Sequence, residues 1–387
     1  MKIGLFSDTY YPKANGVATS VLMLKENLEA SGHKVYVFTS NNPEVSEPED
    51  NVVRIPSIPL MTQRLGVIIS PALRRYIKSL SLDVIHTHTE FTLGRLGRRV
   101  AKKMDIPVVH TMHTIYEYYT GYLIKTERFD PIFRKMIRKL TAKYCNDADT
   151  VIVPSGKTEG LMRDYGVHRD IRVIPSGIEL DRFITPQYDA DKTDGVRAEL
   201  GISEHNKVLI NVGRVSQEKK LDVLITSLRD YLSHNPHVLF LIVGDGPARK
   251  ELEQLAADLN IGKQVIFAGT RPWDEIHMYY KLGDVFIGAS ESETQGITYI
   301  EAMASGCPVI AKEDRCLDNL LTEGGNGYSF NDAEGLVSAV GKLLGDDDLL
   351  RQFAEEASKS ALRFSADSFA RNVNAVYDEL VATRASA

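Results

Sequence analysis

At 387 residues, 43% of them hydrophobic and 25% charged, the chain has the make-up of an ordinary globular protein. It exceeds the roughly 250–300 residues at which single cores tend to split, so two domains are expected. No apolar run approaches the ~18 residues of a spanning helix, and Met1-Lys2 leads straight into a short strand rather than a signal peptide; both point to the cytoplasm. The net charge of -6 conceals a split: Met1 to Leu180 carries 25 Lys and Arg against 19 Asp and Glu, and the remainder 21 against 33. A basic first half of this kind suggests a nucleic-acid or membrane partner.

In chain order, strands are predicted at Ile3–Phe6, Lys34–Thr39, Val52–Ile55, Val84–His86, Val108–His110, Thr150–Val153 and Ile171–Ile174. Helical periodicity falls between them at Thr19–Ser31, Pro71–Ser79, Leu93–Met104, Pro131–Asn146 and Gly156–Tyr165. Pro175–Asp181, followed by the polar stretch Thr185–Asp194, reads as a linker. The alternation then restarts, with strands at Lys207–Val212, Val238–Val243, Gln264–Ala268, Val285–Ile287 and Val309–Ala311. The helices between them are Asp222–Asn235, Ala248–Leu259, Trp273–Lys281, Thr298–Ser305 and Ala333–Leu344, and Asp367–Thr383 closes the chain. Repeated strand–helix alternation implies a parallel sheet in each half. The expected class is α/β: two doubly wound Rossmann-like domains, 1–177 (with 367–387 packing back on it) and 178–366, facing a cleft. Cys145, Cys307 and Cys316 show neither a paired framework nor metal-site spacing and read as reduced packing residues.

The chemistry-bearing motifs fall after strands. Ser290–Ala311, SESETQGITYIEAMASGCPVIA, sets Glu293 and Glu301 eight residues apart around a Gln295-Gly296 turn. A helix opening near Ile297 aims its free N–H groups and positive dipole end at an anion over that turn, and each glutamate can accept from ligand hydroxyls. A sugar nucleotide supplies both features; taken alone, the same spacing also describes a strand, a turn and a helix with two solvated glutamates. After the first strand, Ser7–Val17 is turn-rich, and its Gly16 opens a helix where backbone can approach a phosphate. After the first strand of the second half, Gly213–Lys220 carries Arg214 and Lys219, which suit a diphosphate.

Taken together, Gly213-Arg214 with Lys219, Val243-Gly244-Asp245-Gly246-Pro247, and Glu293-x7-Glu301 followed by Ala302–Val309 resemble the retaining glycosyltransferases of family four, which have the GT-B fold. The resemblance covers nearly the whole chain. Most of that family carries Gly-Phe-Gly after the first glutamate, whereas Thr294–Tyr299 reads TQGITY here. That variant, with His110–Thr120, is similar to bacterial diacylglycerol glucosyltransferases, which make glycolipids.

The resemblance implies hexosyl transfer from a nucleotide sugar, UDP-glucose first, to the hydroxyl of diacylglycerol with retention. Its alternative is a soluble transferase acting on a sugar, a sugar phosphate or an already glycosylated lipid. Arg214, Lys219 and the helix N-terminus after Gly296 then hold the diphosphate, so no metal cofactor is implied, with Mg2+ at most stimulatory. Gly16, Gln295 and Ile297 complete the donor site, Glu293 bonds sugar hydroxyls and Glu301 the ribose. Attack is front-face, with the leaving phosphate taking the acceptor's proton, so Glu293 is not a nucleophile. His113 contacts the donor sugar. A zinc reading of His86, His88, His110 and His113 lacks a carboxylate or thiolate to complete the set, and Asp147-Ala148-Asp149 reads as a capping or loop feature.

The acceptor side rests on the basic half. Along Pro131–Asn146, Ile132, Phe133, Met136, Ile137, Leu140 and Tyr144 recur at helical, core-like spacing among Arg134, Lys135, Arg138, Lys139 and Lys143. Basic Pro71–Ser79 and Leu93–Met104, the apolar Ile58–Met61 loop and the aromatic Tyr116–Tyr122 segment, with Tyr116 and Tyr119, accompany it. The expectation is peripheral binding to an anionic membrane on its inner, cytoplasmic face. Nucleic acid is not expected, because aromatic stacking positions are not interleaved with the cations.

Overall fold

A computed structural model describes the chain except for residues 13–14, 44, 46–47, 61–62, 67–69, 120–129, 186–189 and 387. It divides into two compact units, Met1–Gly177 with Ala366–Ala387, and Ile178–Ser365.

The first unit begins with β1 (Lys2–Phe6), α1 (Gly16–Ala30), β2 (Lys34–Ser40) and β3 (Val52–Ile55), then a small antiparallel hairpin of β4 (Ser57–Leu60) and β5 (Gln63–Gly66). It continues through α2 (Pro71–Leu80), β6 (Val84–Thr87), α3 (Thr92–Met104), β7 (Val108–Thr111), α4 (Asp130–Asn146), β8 (Thr150–Val153), α5 (Gly156–Tyr165) and β9 (Asp170–Val173). Seven strands form one parallel sheet in the order β3-β2-β1-β6-β7-β8-β9.

The second unit carries α6 (Asp181–Ile184), α7 (Ala190–Glu199), β10 (Lys207–Val212), α8 (Leu221–His234), β11 (Val238–Val243), α9 (Arg249–Asp258), β12 (Val265–Gly269) and α10 (Ile276–Tyr280). Then come β13 (Val285–Gly288), α11 (Ile297–Ala304), β14 (Val309–Lys312), β15 (Gly327–Phe330), α12 (Ala333–Leu344) and α13 (Asp347–Ala361). Its parallel sheet runs β12-β11-β10-β13-β14-β15. Read from the first strand outward, that is the order of a dinucleotide-binding fold. The last helix, α14 (Ala366–Ala385), belongs to the first unit.

Both faces of each sheet are covered, which is why the strands are continuous apolar runs rather than alternating ones. Side chains still alternate between faces: Val35 and Val37 of β2 join Ile3 and Leu5 of β1 in one cluster, while Tyr36 and Phe38 join Phe6 in the other. The first cluster is closed by Val21, Leu24 and Leu28 of α1 and by Phe369, Val373 and Tyr377 of α14. Asn15 sets the start of α1, its Oδ1 accepting from the N–H of Ala18 at 3.0 Å. The helix therefore opens at Gly16, three residues before its periodicity becomes visible. Asp149 ties the sheet together: its Oδ2 accepts from the N–H of Val108 at 2.8 Å and meets Arg384 of α14 at 3.3 Å.

Several elements depart from the sequence expectation. The β4–β5 hairpin, β15 and α13 are additional. Part of the polar stretch read as linker is α7, which buries none of its residues and so leaves no apolar stripe to read. The helix expected from Trp273 is confined to α10. All three cysteines are buried free thiols, and among the described residues no helix is long and apolar enough to cross a membrane.

Val373 is fully buried in α14. Val373→Asp places an unpaired carboxylate there and is expected to cost roughly 3 kcal/mol or more. Chemical denaturation should show the loss, and a stability within 1 kcal/mol of the parent would refute the docking of α14.

Candidate active site

In the second unit the crossovers reverse direction between β10 and β13. The chain leaving β10 reaches α8 in one core cluster, and the chain leaving β13 reaches α11 in the other. The two loops diverge above the strand ends, where open α/β sheets bind ligands. Gly213, at φ +151°, carries the first loop out, and a third loop presses on it from β11. A Cβ on Gly244 would lie 1.9 Å from the Gly213 carbonyl oxygen, and one on Gly246 would lie 2.2 Å from that of Val215. These glycines let backbone pack on backbone, sealed by the N–H of Val215 on the Asp245 carbonyl at 3.0 Å.

That scaffold delivers Lys219 to Glu293. The ammonium donates to Oε1 at 2.5 Å, and both side chains are largely shielded, 22% and 16% exposed, so the pair is less screened than a surface ion pair. Lys219, Glu293, Gly288, Ser290, Thr298 and Tyr299 line a common pocket. Gly296 caps α11 at φ +76°, and a Cβ there would strike the Tyr299 ring at 2.5 Å. No side chain caps this helix start, Gln295 is buried beside it, and Ile297 is partly exposed. Arg214 is exposed on the β10 loop.

Glu301 lies one turn into α11, buried, with the Tyr280 hydroxyl donating to its Oε2 at 2.7 Å. Burial raises its carboxyl to about 7, opposed by the Tyr280 hydrogen bond and the Arg182 charge. Tyr280 is an apolar-spaced core position that sequence reasoning missed, and Tyr299 entered only as part of the TQGITY stretch; the Tyr280 hydroxyl meets Glu301, and Tyr299 lines the pocket.

The first unit has its own reversal, between β1 and β6. Asp8, after β1, accepts from the Thr89 hydroxyl at 2.6 Å, from Thr92, and from the N–H of Leu93 at 3.2 Å, capping α3 from a different strand; burial raises its carboxyl. Asn15 reaches Thr9 at 2.8 Å. Gly16 begins α1 with nothing within 4 Å of an added Cβ, so no protein contact demands glycine there; residues 13–14 of this loop lie outside the described residues.

His113, after β7, is half-buried, its Nε2 3.1 Å from Nδ1 of His88, and burial lowers it to about 4. His86 is held at both ring nitrogens, by Tyr377 at 2.6 Å and Thr111 at 2.7 Å, and His110 by Thr87 at 2.8 Å. Among the described residues no group of three or more His, Cys, Asp or Glu has the placement to hold a metal ion. Buried Glu90, which sequence reasoning missed, accepts from the Tyr116 hydroxyl at 2.6 Å and lies 3.6 Å from His110. Burial opposes its ionisation, but these two partners hold it below the usual carboxylate range.

Two expectations for the acceptor side need revision. Tyr116 turns its hydroxyl inward to Glu90, and Arg138, with Arg134 at 3.8 Å, is engaged by the carboxylate of Glu117, which also accepts from Tyr165. These two arginines stitch α4 to its neighbours. The core-like spacing along α4 is also misleading: Thr141, Ala142 and Cys145 face inward, whereas Ile132, Met136 and Leu140 are 70%, 52% and 44% exposed. Lys135, Lys139 and Lys143 beside them have no ion pair among the described residues. The side chain of Tyr119, and Met61 and residues 120–122 of the expected apolar and aromatic segments, lie outside the described residues.

Because the carboxyl of Glu301 is raised above the ordinary 4.5, its ionisation disfavours the folded state: the penalty is absent below about 4.5 and complete above about 7. Glu301→Gln removes it. Between pH 5 and pH 8 the variant should lose roughly 2–3 kcal/mol less stability than the parent, and parallel denaturation profiles would refute the burial.

The profile of Glycosyltransferase Family 4 matches residues 14–182, and that of Glycosyl transferases group 1 matches residues 193–360. An alpha-monoglucosyldiacylglycerol synthase of Streptococcus pneumoniae is 38% identical, over 97% of this chain and 85% of its own. One from Acholeplasma laidlawii is 35% identical, over 98% of both. A crystal structure of Anabaena Alr3699/HepE in complex with UDP superimposes with a TM-score of 0.76 at 19% identity, covering 98% of this chain and all of that one. With both halves matched in order, two parallel Rossmann-like sheets and relatives this similar, the chain belongs to the retaining GT-B glycosyltransferases of family 4 and is a hexosyltransferase.

Proposed function

We propose that the chain transfers glucose from UDP-glucose to the free hydroxyl of diacylglycerol, with retention, at the inner surface of the cell membrane. The observation that carries this is the Lys219–Glu293 pair beside the uncapped head of α11 at the strand-order reversal. The two relatives named as glycolipid synthases direct the acceptor choice.

As the bond from the anomeric carbon to the diphosphate breaks, negative charge grows on the leaving oxygen. The Lys219 ammonium, largely shielded from solvent, opposes it together with Arg214 and the N–H groups opening α11. The acceptor oxygen bonds to the anomeric carbon from the same side, and its proton passes to the departing phosphate. Glu293, with one oxygen occupied by Lys219, is suited to accept hydrogen bonds from hexose hydroxyls rather than to attack. Glu301, once ionised, accepts from the ribose. Gly16, Gln295 and Ile297 serve the donor through backbone and packing, and His113 hydrogen-bonds the hexose. With the phosphate charge met by cations and helix amides, transfer proceeds without a metal cofactor.

Membrane docking rests on α4. The exposed Ile132, Met136 and Leu140 recur every four residues along one face, with Lys135, Lys139 and Lys143 one step round. Apolar insertion between anionic headgroups suits that pattern, at about 1 kcal/mol per cation near the surface. Arg134 and Arg138, engaged by Glu117, contribute less than their charge suggests.

Lys219→Ala and His113→Ala are each expected to lower kcat/KM about 100-fold or more without loss of fold; near-parental turnover in either removes that residue from the site. Ile132→Asp combined with Met136→Asp should abolish flotation with vesicles containing anionic lipid while leaving UDP-glucose affinity intact, and unchanged flotation would reject α4 as the docking face. With radiolabelled nucleotide sugars and mixed-lipid vesicles, label should pass from UDP-glucose to diacylglycerol, and label appearing only on a soluble sugar phosphate or on a glycosylated lipid would overturn the acceptor.

A further inference from the structure

The first unit brings three imidazoles into contact, with His86 and His88 buried and His113 half-buried. His86 and His88 leave β6 two residues apart with ring centroids 4.0 Å apart, and His88 stacks in turn against His113 at 5.4 Å. We propose that His88 is a positioning residue that fixes the tautomer of His113, holding it as a neutral ring protonated on Nδ1 and therefore a hydrogen-bond donor to an oxygen of the bound hexose. This rests on the reading of His113 as a site residue.

The argument is an accounting of protons. Nδ1 of His88 and Nε2 of His113 are 3.1 Å apart, and between two neutral rings one proton occupies that contact. The other nitrogen of His88, Nε2, is buried with no partner among the described residues. A proton there would leave an orphaned buried N–H, a costlier defect than a bare ring lone pair. The His88 proton therefore sits on Nδ1 and points at Nε2 of His113, which must accept. The His113 proton is left on Nδ1, the nitrogen His88 does not engage.

The surroundings keep that arrangement neutral and fixed. Burial lowers His86 and His88 well below the usual imidazole range, and His113 with them. His86 cannot rotate away from His88 without giving up Tyr377 of α14 and Thr111 of β7. The other titratable groups facing His113 are Glu90 and His110. Glu90 is engaged by Tyr116 and lies beside His110, which leaves His88 as the ring partner of His113.

Long-range nitrogen–proton correlation spectra of the unliganded full chain read the tautomer directly. A His113 ring protonated on Nδ1 and bare on Nε2 is expected, and the reverse overturns the proposal whether or not His113 takes part in transfer. The activity arm compares two replacements. His88→Asn keeps an N–H where Nδ1 was and should hold kcat within about threefold of the parent. His88→Asp offers only an acceptor, draws the His113 proton onto Nε2, and should lower kcat about 100-fold with the UDP-glucose KM little changed. Its carboxylate should also move the acid limb of the kcat/KM profile upward from near pH 4. Equal losses in the two variants, or an unshifted acid limb in His88→Asp, would overturn the proposal; loss in His113→Ala alone tests the underlying reading.

Discussion

Each parallel sheet reverses the direction of its crossovers once, between β1 and β6 and again between β10 and β13. At that seam neighbouring strands send their chains to opposite faces: β1 to α1 and β6 to α3, β10 to α8 and β13 to α11. The loops must part, and side chains from segments remote in sequence meet above the gap. Lys219 and Glu293 are 74 residues apart and share a hydrogen bond for this reason. In the first unit the same divergence brings Asp8 to Thr89 across 81 residues.

What the seam makes possible, close backbone packing makes rigid. The Gly244 and Gly246 approaches leave no room for a Cβ, so the β11 loop supports the β10 loop through direct main-chain contact. Gly296 does the same for α11, taking a left-handed conformation so that the helix opens at the site with Tyr299 folded against it. Burial acts most clearly on Glu301, whose carboxyl it raises to about 7 against the Tyr280 hydrogen bond.

The first unit divides its labour differently. Its three buried carboxylates among the described residues are engaged internally: Asp8 on the head of α3, Glu90 on Tyr116, Glu117 on α4. Those contacts take up arginines and aromatics that an uncommitted surface would display. What remains outward on α4 is an apolar row with lysines beside it, a surface of different chemistry from the basic helix that composition suggests.

Fold class, the order of the alternating elements and the family motifs were legible in the residues, because strand period, helix period and glycine placement are local properties of the chain. Glu293, Glu301 and Lys219 could be singled out for the same reason, lying after a strand or in the first turn of the helix that follows it, whereas His113 was marked chiefly by the family resemblance. The partners were not legible. That Glu301 meets Tyr280, that His113 leans on His88, and that Arg138 is claimed by Glu117 depend on which loops the seam brings together, and separation along the chain carries no record of it. The apolar row of α4 shows the limit most plainly. Ile132, Met136 and Leu140 have the spacing of a core face, and only the packing of Thr141, Ala142 and Cys145 decides that the core lies on the other side. Periodicity specifies that a helix has two faces; tertiary contacts alone choose which one is buried.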